Sequence, residues 1–440
     1  MSDVVESDGK RAVLVGVRDE KMSKKEADIL AKELGSLVGT LGLEIAAREM
    51  VHVRARSAQF GMGTGKAEEL AEKAASLQAD CIIFDRDISP SQQRNWEKLA
   101  GIPVIDRQEL IIQIFASRAR TREAELQINL AELKYALPRL QHKYIDLSRQ
   151  RGGRYGTKGS GETRFETDRR LVEQRIHRLE EELEVVKRQR QVQRKQRERQ
   201  GVPVCALVGY TNTGKSSILN ALTGAEVLAE NKLFATLDPT SRRLELPQGM
   251  NILLVDTVGF IRRLPHNLVN AFRSTLEEAI RADILLHVLD ASEEDAAGQH
   301  ETTLAVLQEL GAGEIPAITV LNKVDRLPSG EEREALLKIY PESVAVSATD
   351  GTGLPELCAR IEQALSGTAL RFRFPPERTD LAALLHRTGH VLAESYGDDH
   401  IEMEAQVDER TAGRLKEFQM SNERPCPSLR RRETAHTRST

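Results

Sequence analysis

The sequence is short of the features that mark secreted, membrane-spanning or β-rich proteins. Aromatic residues make up only 4% of its 440 positions, with a single tryptophan. Its four cysteines form no Cys-x-x-Cys pair and have no histidine nearby, which excludes a disulfide scaffold and a zinc ribbon. No apolar run approaches the ~18 residues of a membrane span, and the polar start at Met1–Asp3 does not resemble a signal peptide. We therefore expect a cytoplasmic protein whose cysteines are reduced.

Charge is plentiful but unevenly distributed. Charged residues account for 30% of the chain and the net charge is −4. Positive charge nevertheless gathers at residues 149–200 and again in the last twenty residues. A chain of this length has room for roughly three domains. The composition therefore predicts a soluble, helix-rich protein with local basic patches.

One stretch, residues 204–217, carries a complete phosphate-binding pattern. The apolar run Val204–Val208 predicts a buried strand, and helical periodicity begins directly after the motif. The spacing from Gly209 to Ser216 matches the P-loop, in which backbone amides and a helix N-terminus bind phosphate. We expect Lys215 to neutralise the β- and γ-phosphates and Ser216 to ligate Mg²⁺. A plain glycine turn between strand and helix is the alternative.

Two further signals concern the γ-phosphate and its metal. Thr236, in the loop Phe234–Thr240, is placed to offer a second hydroxyl to Mg²⁺. A buried strand then ends in the D-x-x-G pattern Asp256–Gly259. We expect Asp256 to hold the Mg²⁺ shell through water and the Gly259 amide to sense the γ-phosphate.

The base is selected by the N-K-x-D pattern Asn322–Asp325, after another predicted strand. The Asp325 carboxylate can accept both N1–H and N2–H of guanine, whereas adenine offers no such pair. At ~1.5–3 kcal/mol for each charge-assisted bond, the preference for guanine is roughly 10²- to 10⁴-fold. The strand and turn at 344–348 can meet guanine O6. The sequence therefore predicts a GTPase.

The site residues that follow from these motifs form one set. Those assigned to catalysis are Lys215, Thr236 and Gly259. Those assigned to GTP are Gly209, Tyr210, Thr211, Asn212, Thr213, Gly214, Lys215, Ser216, Ser217, Phe234, Ala235, Thr236, Leu237, Asp238, Asp256, Thr257, Val258, Gly259, Asn322, Lys323, Val324, Asp325, Ser347, Ala348 and Thr349. Those assigned to metals are Ser216, Thr236 and Asp256 for Mg²⁺ and Asn212 for K⁺.

Residues 11–118 alternate short apolar runs with helical ones. Strands are predicted at 11–17, 51–54, 81–84 and 104–106, and helices at 24–38, 66–76, 90–99 and 109–116. This rhythm predicts an α/β domain with a largely parallel sheet. Within it, Gly61–Lys66 resembles a second phosphate loop, but Ala67 replaces the metal-binding hydroxyl and the gap between glycines is one residue short. A flexible turn before a helix is the preferred interpretation, with ATP binding there as the alternative.

From Arg120 the pattern changes to long amphipathic helices. Two series of apolar residues follow a 4-3 spacing, which predicts an antiparallel helical hairpin whose first helix is bent at Pro138. They are Leu126, Leu130, Leu133, Leu137 and Leu140, followed by Val172, Ile176, Leu179, Leu183 and Val186. Separate packing of each helix on a domain surface is the alternative.

A basic, glycine-rich segment at residues 149–170 connects the two helices. It holds seven arginine or lysine residues among five glycines. Glycine permits close approach and arginine supplies forked donors, so this tip suits a phosphate backbone, RNA more than DNA. A solvated linker is the alternative. The residues assigned to RNA are Arg149, Arg151, Arg154, Tyr155, Lys158, Arg164, Arg169 and Arg170.

From residue 11 to about 418 the chain resembles the HflX branch of the translation-factor-related GTPases. The resemblance rests on motifs beyond a generic GTPase domain: Phe234–Asp238, Asp256–Phe260 with Leu264-Pro265-His266 behind it, Ser89–Asn95, Arg118–Glu123, Gly161-Glu162-Thr163 and Glu166–Arg170. One departure is visible. Ser160 stands where the family usually has proline, and Arg164-Phe165 stand where it usually has Gln-Leu.

The resemblance implies an α/β fold with a P-loop GTPase domain and a function on the ribosome. It implies a GTPase that binds the large ribosomal subunit and its RNA through the N-terminal part and splits or rescues ribosomes under stress. We expect five segments and a monomer: an α/β domain at 1–118, the hairpin and linker at 119–200, the GTPase domain at 201–368, a small α/β domain at 369–420 and a disordered basic tail at 421–440. In the small domain the sequence predicts a strand at 400–407 and helices at 381–395 and 411–418.

The position after D-x-x-G indicates how hydrolysis is controlled. Ras-like switches place glutamine there to orient water, and this chain has Phe260. We therefore expect slow hydrolysis alone and stimulation by the ribosome, with K⁺ beside Asn212 supplying part of the charge of an arginine finger. The alternatives are a nucleotide-gated RNA-binding scaffold with incidental hydrolysis and an ATP-dependent RNA remodeller.

Overall fold

The chain begins with a parallel sheet covered on both faces by helices. In the computed structural model the described residues are 9–420, with gaps at 56, 151–159, 199–201, 226–229, 231, 264–279, 367 and 408. The first sheet has the order β2-β1-β3-β4 and all its strands are parallel, as predicted. Its elements are β1 (Arg11–Asp19), α1 (Lys24–Thr40), β2 (Glu44–Val53), α2 (Thr64–Ser76), β3 (Cys81–Phe84), α3 (Pro90–Ala100), β4 (Val104–Ile105) and α4 (Arg107–Arg118).

The second glycine motif, Gly61–Lys66, is a turn that side chains of the neighbouring helix α3 hold in place. Its last three residues, Thr64–Lys66, begin α2, and Gly63 is the N-cap residue of that helix. Side chains of α3 hold the preceding loop: Trp96 donates its Nε1–H to the Phe60 carbonyl at 3.0 Å, and Asn95 donates to the Gln59 carbonyl at 3.0 Å. Lys66 is paired with Glu69 at 2.6 Å. The motif at Ser89–Asn95 therefore helps to hold the loop before α2. This role favours the interpretation of Gly61–Lys66 as a turn and not as a second phosphate loop.

Two long helices follow and pack along one another. They are α5 (Arg122–Gln150), with Pro138 in its interior, and α6 (Ser160–Glu198). Leu126 and Leu130 form a common core with Leu179 and Leu183, as the 4-3 spacing predicts. Ion pairs flank this core, among them Lys134–Glu180 at 2.7 Å and Arg190–Glu123 at 2.8 Å.

The connecting segment is shorter than predicted, because residues from Ser160 onward are already helical. Gly161–Arg164 therefore belong to α6 and not to a tip loop. Glu162 in the first turn supports a helix start, because it carries negative charge near the helix N-terminus, although Gly161 opposes it.

The GTPase sheet has the order β10-β9-β8-β5-β7-β6, parallel except for β6. Its strands are β5 (Val204–Gly209), β6 (Thr240–Glu245), β7 (Asn251–Asp256), β8 (Ile284–Asp290), β9 (Ala317–Asn322) and β10 (Val344–Ala345). The helices around it include α7 (Lys215–Thr223), α8 (Ala296–Glu309), α9 (Gly330–Ile339) and α10 (Leu354–Leu365). The parallel strands end at one edge of the sheet, where open α/β sheets bind ligands.

A small antiparallel sheet closes the described part, with the order β11-β13-β12. It comprises β11 (Thr368–Phe374), α11 (Thr379–Thr388), β12 (His390–Tyr396), β13 (Ile401–Val407) and α12 (Glu409–Arg414). The single helix predicted at 381–395 is wrong, because Gly389 ends α11 and the next residues pair with β13. The helix predicted at 411–418 is likewise divided, into α12 and a 3₁₀ turn at Lys416–Phe418. Strand β11 had no predicted counterpart, and the tail at 421–440 lies outside the described residues.

The first sheet and the GTPase sheet share a hydrophobic core. Phe115 of α4 packs edge-on against Phe234, with ring centroids 4.6 Å apart. The same cluster includes Tyr210, Val258 and Ile261. The nucleotide-binding loops therefore lie between the two sheets. Among the residues that the structure describes, no helix is long and apolar enough to cross a membrane.

Candidate functional site

The phosphate loop lies between β5 and α7, and two of its positions, Gly209 and Gly214, accept no residue with a side chain. Gly209 has φ +146°, and a Cβ there would lie 2.3 Å from the Val288 carbonyl oxygen. Gly214 has φ +92°, and its Cβ would lie 2.2 Å from the Asn322 side-chain nitrogen. Both positions combine positive φ with a close backbone or side-chain neighbour, so they require glycine.

The loop surrounds a cavity of about 230 Å³. Residues from five motifs that are far apart in the sequence line this cavity, at the edge where the strands end. Its lining residues are Thr211, Asn212, Gly214, Lys215, Ser216, Ser217, Glu230, Lys232, Phe234, Ala235, Thr236, Thr257, Gly259, Asn322, Lys323, Arg326, Ala348 and Thr349. Glu230, Lys232 and Arg326 were not predicted. Each lies within four residues of a predicted one, and that proximity was the only signal in the sequence.

Lys215 lies buried under the phosphate loop. Its ammonium donates to the Tyr210 carbonyl at 2.7 Å and to the Gly209 carbonyl at 3.2 Å. Burial lowers the pKa of Lys215 to about 8, against the opposing effect of the Asp256 carboxylate. A buried cation under a glycine-containing loop at a helix N-terminus is suited to phosphate.

The residues assigned to Mg²⁺ converge on one point. Ser216 Oγ lies 2.7 Å from Thr236 Oγ1 and 2.5 Å from Asp256 Oδ2. The other carboxylate oxygen, Asp256 Oδ1, is buried and has no hydrogen-bond partner among the described residues. Burial raises the pKa of Asp256, a cost that a divalent cation would remove. Two hydroxyls and an unpartnered carboxylate oxygen fit the oxygen-ligand preference of Mg²⁺.

The base-binding side is organised by Asn322. Its side-chain nitrogen donates to the Thr213 carbonyl at 2.8 Å, and its oxygen accepts from the Ala348 amide at 3.3 Å. Lys323 donates to the Asn212 carbonyl at 2.8 Å and pairs with Asp290 at 2.6 Å. These contacts join three loops around the cavity.

Asp325 and Ser347 lie just outside the lining residues. Asp325 is exposed in the 3₁₀ turn Val324–Arg326. Ser347 is buried, and its hydroxyl accepts from the Thr349 and Asp350 amides at 3.3 Å. Ser347 therefore holds the turn that carries Ala348 and Thr349.

Several residues assigned to GTP have side chains directed at the first sheet. Tyr210 is buried, its hydroxyl accepts from the Arg262 amide at 2.8 Å, and it donates to Glu33. Burial, with Glu33 beside it, raises the pKa of the Tyr210 hydroxyl. Leu237 and Val258 lie in the shared core, and Asp238 accepts from the Thr121 hydroxyl at 2.5 Å. The motif spacing gave no signal for these contacts between the two parts of the chain.

Phe260 is buried and packs in the core between β5 and α8. Its amide donates to the Gly209 carbonyl at 3.0 Å, which fixes the residue beside the phosphate loop. An apolar ring in this position has no group that could orient the attacking water.

The residues assigned to RNA are only partly within the described chain. Arg151, Arg154, Tyr155 and Lys158 lie outside the described residues. The backbone of Arg149 lies in the last turn of α5 and that of Arg164 in the first turns of α6. Arg169 and Arg170 are exposed on α6, where Arg169 pairs with Glu173 at 2.7 Å.

Comparison with known proteins places these parts in one family. The family profile described as a 50S ribosome-binding GTPase matches residues 204–323. Profiles for a GTP-binding GTPase N-terminal region and middle region match residues 29–116 and 118–197. A "GTPase HflX" of Akkermansia muciniphila is 46% identical over 423 residues, which is 93% of this chain and 96% of that protein. The chain belongs to the HflX family of GTPases.

A second HflX relative agrees with this membership. The "GTPase HflX" of Escherichia coli K12 is 40% identical, covering 89% of this chain and 92% of that protein. Among solved structures, a GTP-binding protein from Sulfolobus solfataricus in complex with GDP is 25% identical and has a TM-score of 0.44, covering 81% of this chain and 98% of that one. Membership of the HflX family confirms the predicted GTPase and its α/β fold with a P-loop domain. Proteins of this class bind GTP and generally use Mg²⁺.

Proposed function

We propose that this HflX GTPase is a ribosome-associated switch that binds the large ribosomal subunit through its N-terminal region and dissociates or rescues ribosomes under stress. The observation that carries the proposal is the shared core between the first sheet and the nucleotide loops, with Phe115 against Phe234. A change in these loops on hydrolysis must alter the packing of the N-terminal region. The family profile at 204–323 supports the 50S subunit as the partner.

The geometry supports specific roles for residues in the reaction. Lys215 and the amides of the phosphate loop bind the β- and γ-phosphates, and Gly259 donates its amide to the γ-phosphate. Ser216, Thr236 and Asp256 hold Mg²⁺, which neutralises charge on the phosphate oxygens when it is bound. Phe260 leaves the attacking water without a partner, so a group from the ribosome completes the site.

The N-terminal region supplies the contact with ribosomal RNA in this proposal. The basic segment 149–170 binds the phosphate backbone, and the hairpin formed by α5 and α6 carries it. The remaining divisions proposed are an α/β domain at 1–118, the GTPase domain at 201–368 and a small domain at 369–420. ATP binding at Gly61–Lys66 loses support, because α3 holds that loop and Lys66 is paired.

The test is GTP turnover of the purified protein with and without large ribosomal subunits in K⁺ buffer. We expect strong stimulation, since completion of such a site can be worth ~10³- to 10⁵-fold. The double variant Arg169→Ala/Arg170→Ala should need more subunits for half-maximal stimulation, with unchanged turnover alone. An Arg242→Ala/Arg243→Ala variant is the matched control, because both residues are exposed on the edge strand β6.

Absence of stimulation by the subunit, with GTP still bound, would contradict the ribosome as partner and leave the GTPase intact. The scaffold alternative makes a different prediction. If Lys215→Ala abolishes turnover but leaves the ribosome-directed function intact, hydrolysis is incidental.

We further propose that K⁺ binds beside Asn212 and supplies charge during hydrolysis. Asn212 lines the cavity and has φ +63°. We expect faster turnover in K⁺ than in Na⁺, and loss of that difference in Asn212→Gly. Glycine keeps the positive φ while removing the side chain, so the variant isolates the cation effect. Equal rates in K⁺ and Na⁺ for the unmodified protein would exclude a role for K⁺.

A further inference from the structure

The loop that carries Thr236 is held by the N-terminal part of the chain at three places. The holding segment is the elbow, residues 115–121, which runs from the last turn of α4 to the start of α5. Arg118 pairs with Glu230 at 2.9 Å, before Thr236 in the loop. Thr121 donates to Asp238 at 2.5 Å, after it. Between them Phe115 packs on Phe234, at an interplanar angle of 64°.

These contacts fix an otherwise unfavourable backbone. Phe234 has φ +55°, a left-handed conformation that a bulky residue adopts only when its surroundings enforce it. Its ring is almost fully buried, and its amide donates to Thr211 Oγ1 of the phosphate loop at 2.8 Å. The loop is therefore anchored on one side by the elbow and on the other by the phosphate loop.

The result is a Thr236 hydroxyl already at the metal site. Thr236 lies two residues from Phe234 and two from Asp238, so both neighbouring anchors restrict it. Its Oγ1 is 2.7 Å from Ser216 Oγ. In many GTPases the corresponding loop is ordered by the γ-phosphate and its Mg²⁺. Here contacts within the chain order it, which reduces the entropy that nucleotide binding must remove.

We propose that the elbow is a positioning element of the GTPase site, and that Phe115, Arg118 and Thr121 hold Thr236 for Mg²⁺-bound GTP. The three residues act through Thr236 and touch no nucleotide atom themselves. The proposal rests on the Mg²⁺ site described above and is independent of the ribosome. It also gives a route by which displacement of α5, which starts at Arg122, would reach the metal site.

The selectivity of the effect follows from the chemistry of the two nucleotides. Ser216 and Thr236 would hold Mg²⁺, which would neutralise phosphate charge that is greater in GTP than in GDP. GDP lacks the γ-phosphate and relies on Lys215, Ser216 and the loop amides. Loosening the elbow should therefore weaken GTP binding in Mg²⁺ and leave GDP binding nearly unchanged.

The experiment compares Phe115→Leu, Arg118→Gln and Thr121→Val in the full chain without ribosomes. Affinities for a non-hydrolysable GTP analogue and for GDP are measured across a Mg²⁺ titration. We expect the affinity for the analogue to fall about three- to tenfold and half-saturating Mg²⁺ to rise, with GDP affinity within about twofold. Hydrogen exchange of amides 232–238 should become faster in the nucleotide-free protein.

Two controls keep the result specific. Lys32→Gln breaks an exposed pair between the same two parts of the chain, Lys32–Glu294 at 3.6 Å, away from the loop. Thr121→Ser keeps the hydroxyl that donates to Asp238 and should bind the analogue as the unmodified protein does. Variants that behave like Lys32→Gln would overturn the proposal. So would an equal loss of GDP affinity, since that indicates general unfolding of the site.

Discussion

Alanine in place of Gly259 is expected to reduce GTP turnover roughly 10²- to 10³-fold, the usual effect of losing one preorganised donor to a developing charge. A Cβ at this position would lie 2.5 Å from Thr211 Cα and 3.0 Å from Lys215 Nζ. The backbone φ of Gly259 is not positive, so the effect arises from contact and not from strain. Relief of the contact moves the Gly259 amide away from the γ-phosphate. Turnover and affinities for GTP and GDP measure the result.

The comparison with GDP makes the test specific. GDP offers no γ-phosphate to the Gly259 amide, so its affinity should stay within about threefold of the unmodified protein. Gly330→Ala is the matched control, because a Cβ at Gly330 in the first turn of α9 meets no atom within 4 Å. Unchanged turnover in Gly259→Ala would show that the Gly259 amide does not contribute to hydrolysis. Equal losses for both nucleotides would point to collapse of the phosphate loop.

The GTPase site was largely predictable because its chemistry is local in sequence. Each motif places a short series of residues after one strand, and the parallel topology then brings the strand ends together. Lys215, Ser216, Thr236 and Gly259 accordingly line one cavity. Asp256 lies under it with an unpartnered oxygen.

The contacts between the two sheets could not be read in the same way. Tyr210 stands at a variable position of the P-loop spacing, and the motif gives no reason for its hydroxyl to reach Glu33, 177 residues earlier. Phe115 and Phe234 are ordinary apolar residues of a helix and a loop until the fold brings their rings together. Such pairings depend on tertiary packing, for which local periodicity carries no information.

The small C-terminal sheet shows a different limit. Leu381–Ser395 contains enough apolar and helix-forming residues to suggest one helix, but the residues after Gly389 pair with β13. Pairing along a full strand outweighs the weak helix propensity of the segment. The glycine was the one local signal of the break.

Buried charge between the sheets suggests why the N-terminal region stays coupled to the nucleotide loops. Arg107 is almost fully buried, and it pairs with Asp85 at 2.9 Å, contacts Glu33 and donates to the Arg262 carbonyl at 2.9 Å. Burial raises the pKa of Asp85 to about 6, although Arg107 and Arg263 oppose it. The pairs of Arg107 with Asp85 and Glu33 lie within the N-terminal region and do not depend on the GTPase domain. Separating the two parts would break the bond from Arg107 to the Arg262 carbonyl and the contact of Arg263 with Asp85 at 3.4 Å, which would leave buried polar groups unpaired at a cost. A rearrangement that keeps the pairs is therefore favoured over full separation.

Asparagine in place of Asp325 is expected to change the base specificity of the protein from guanine to xanthine. The carboxylate accepts from guanine N1–H and N2–H, and asparagine can accept only one of these while its amide group faces the other donor. Xanthine has a carbonyl oxygen in place of the guanine amino group, so asparagine can donate to it and still accept from N1–H. We expect GTP affinity to fall roughly 10²- to 10⁴-fold and XTP affinity to rise correspondingly. Competition between the two nucleotides measures the exchange.

This variant should leave the phosphate side intact, because Asp325 is exposed and lies beyond the cavity lining. The maximal rate with saturating XTP should therefore approach that of the unmodified protein with GTP. Asp398→Asn, in the exposed turn between β12 and β13, is the matched control and should not alter base preference. If Asp325→Asn still prefers GTP, groups other than Asp325 recognise the base. Arg326, which lines the cavity, is one such group.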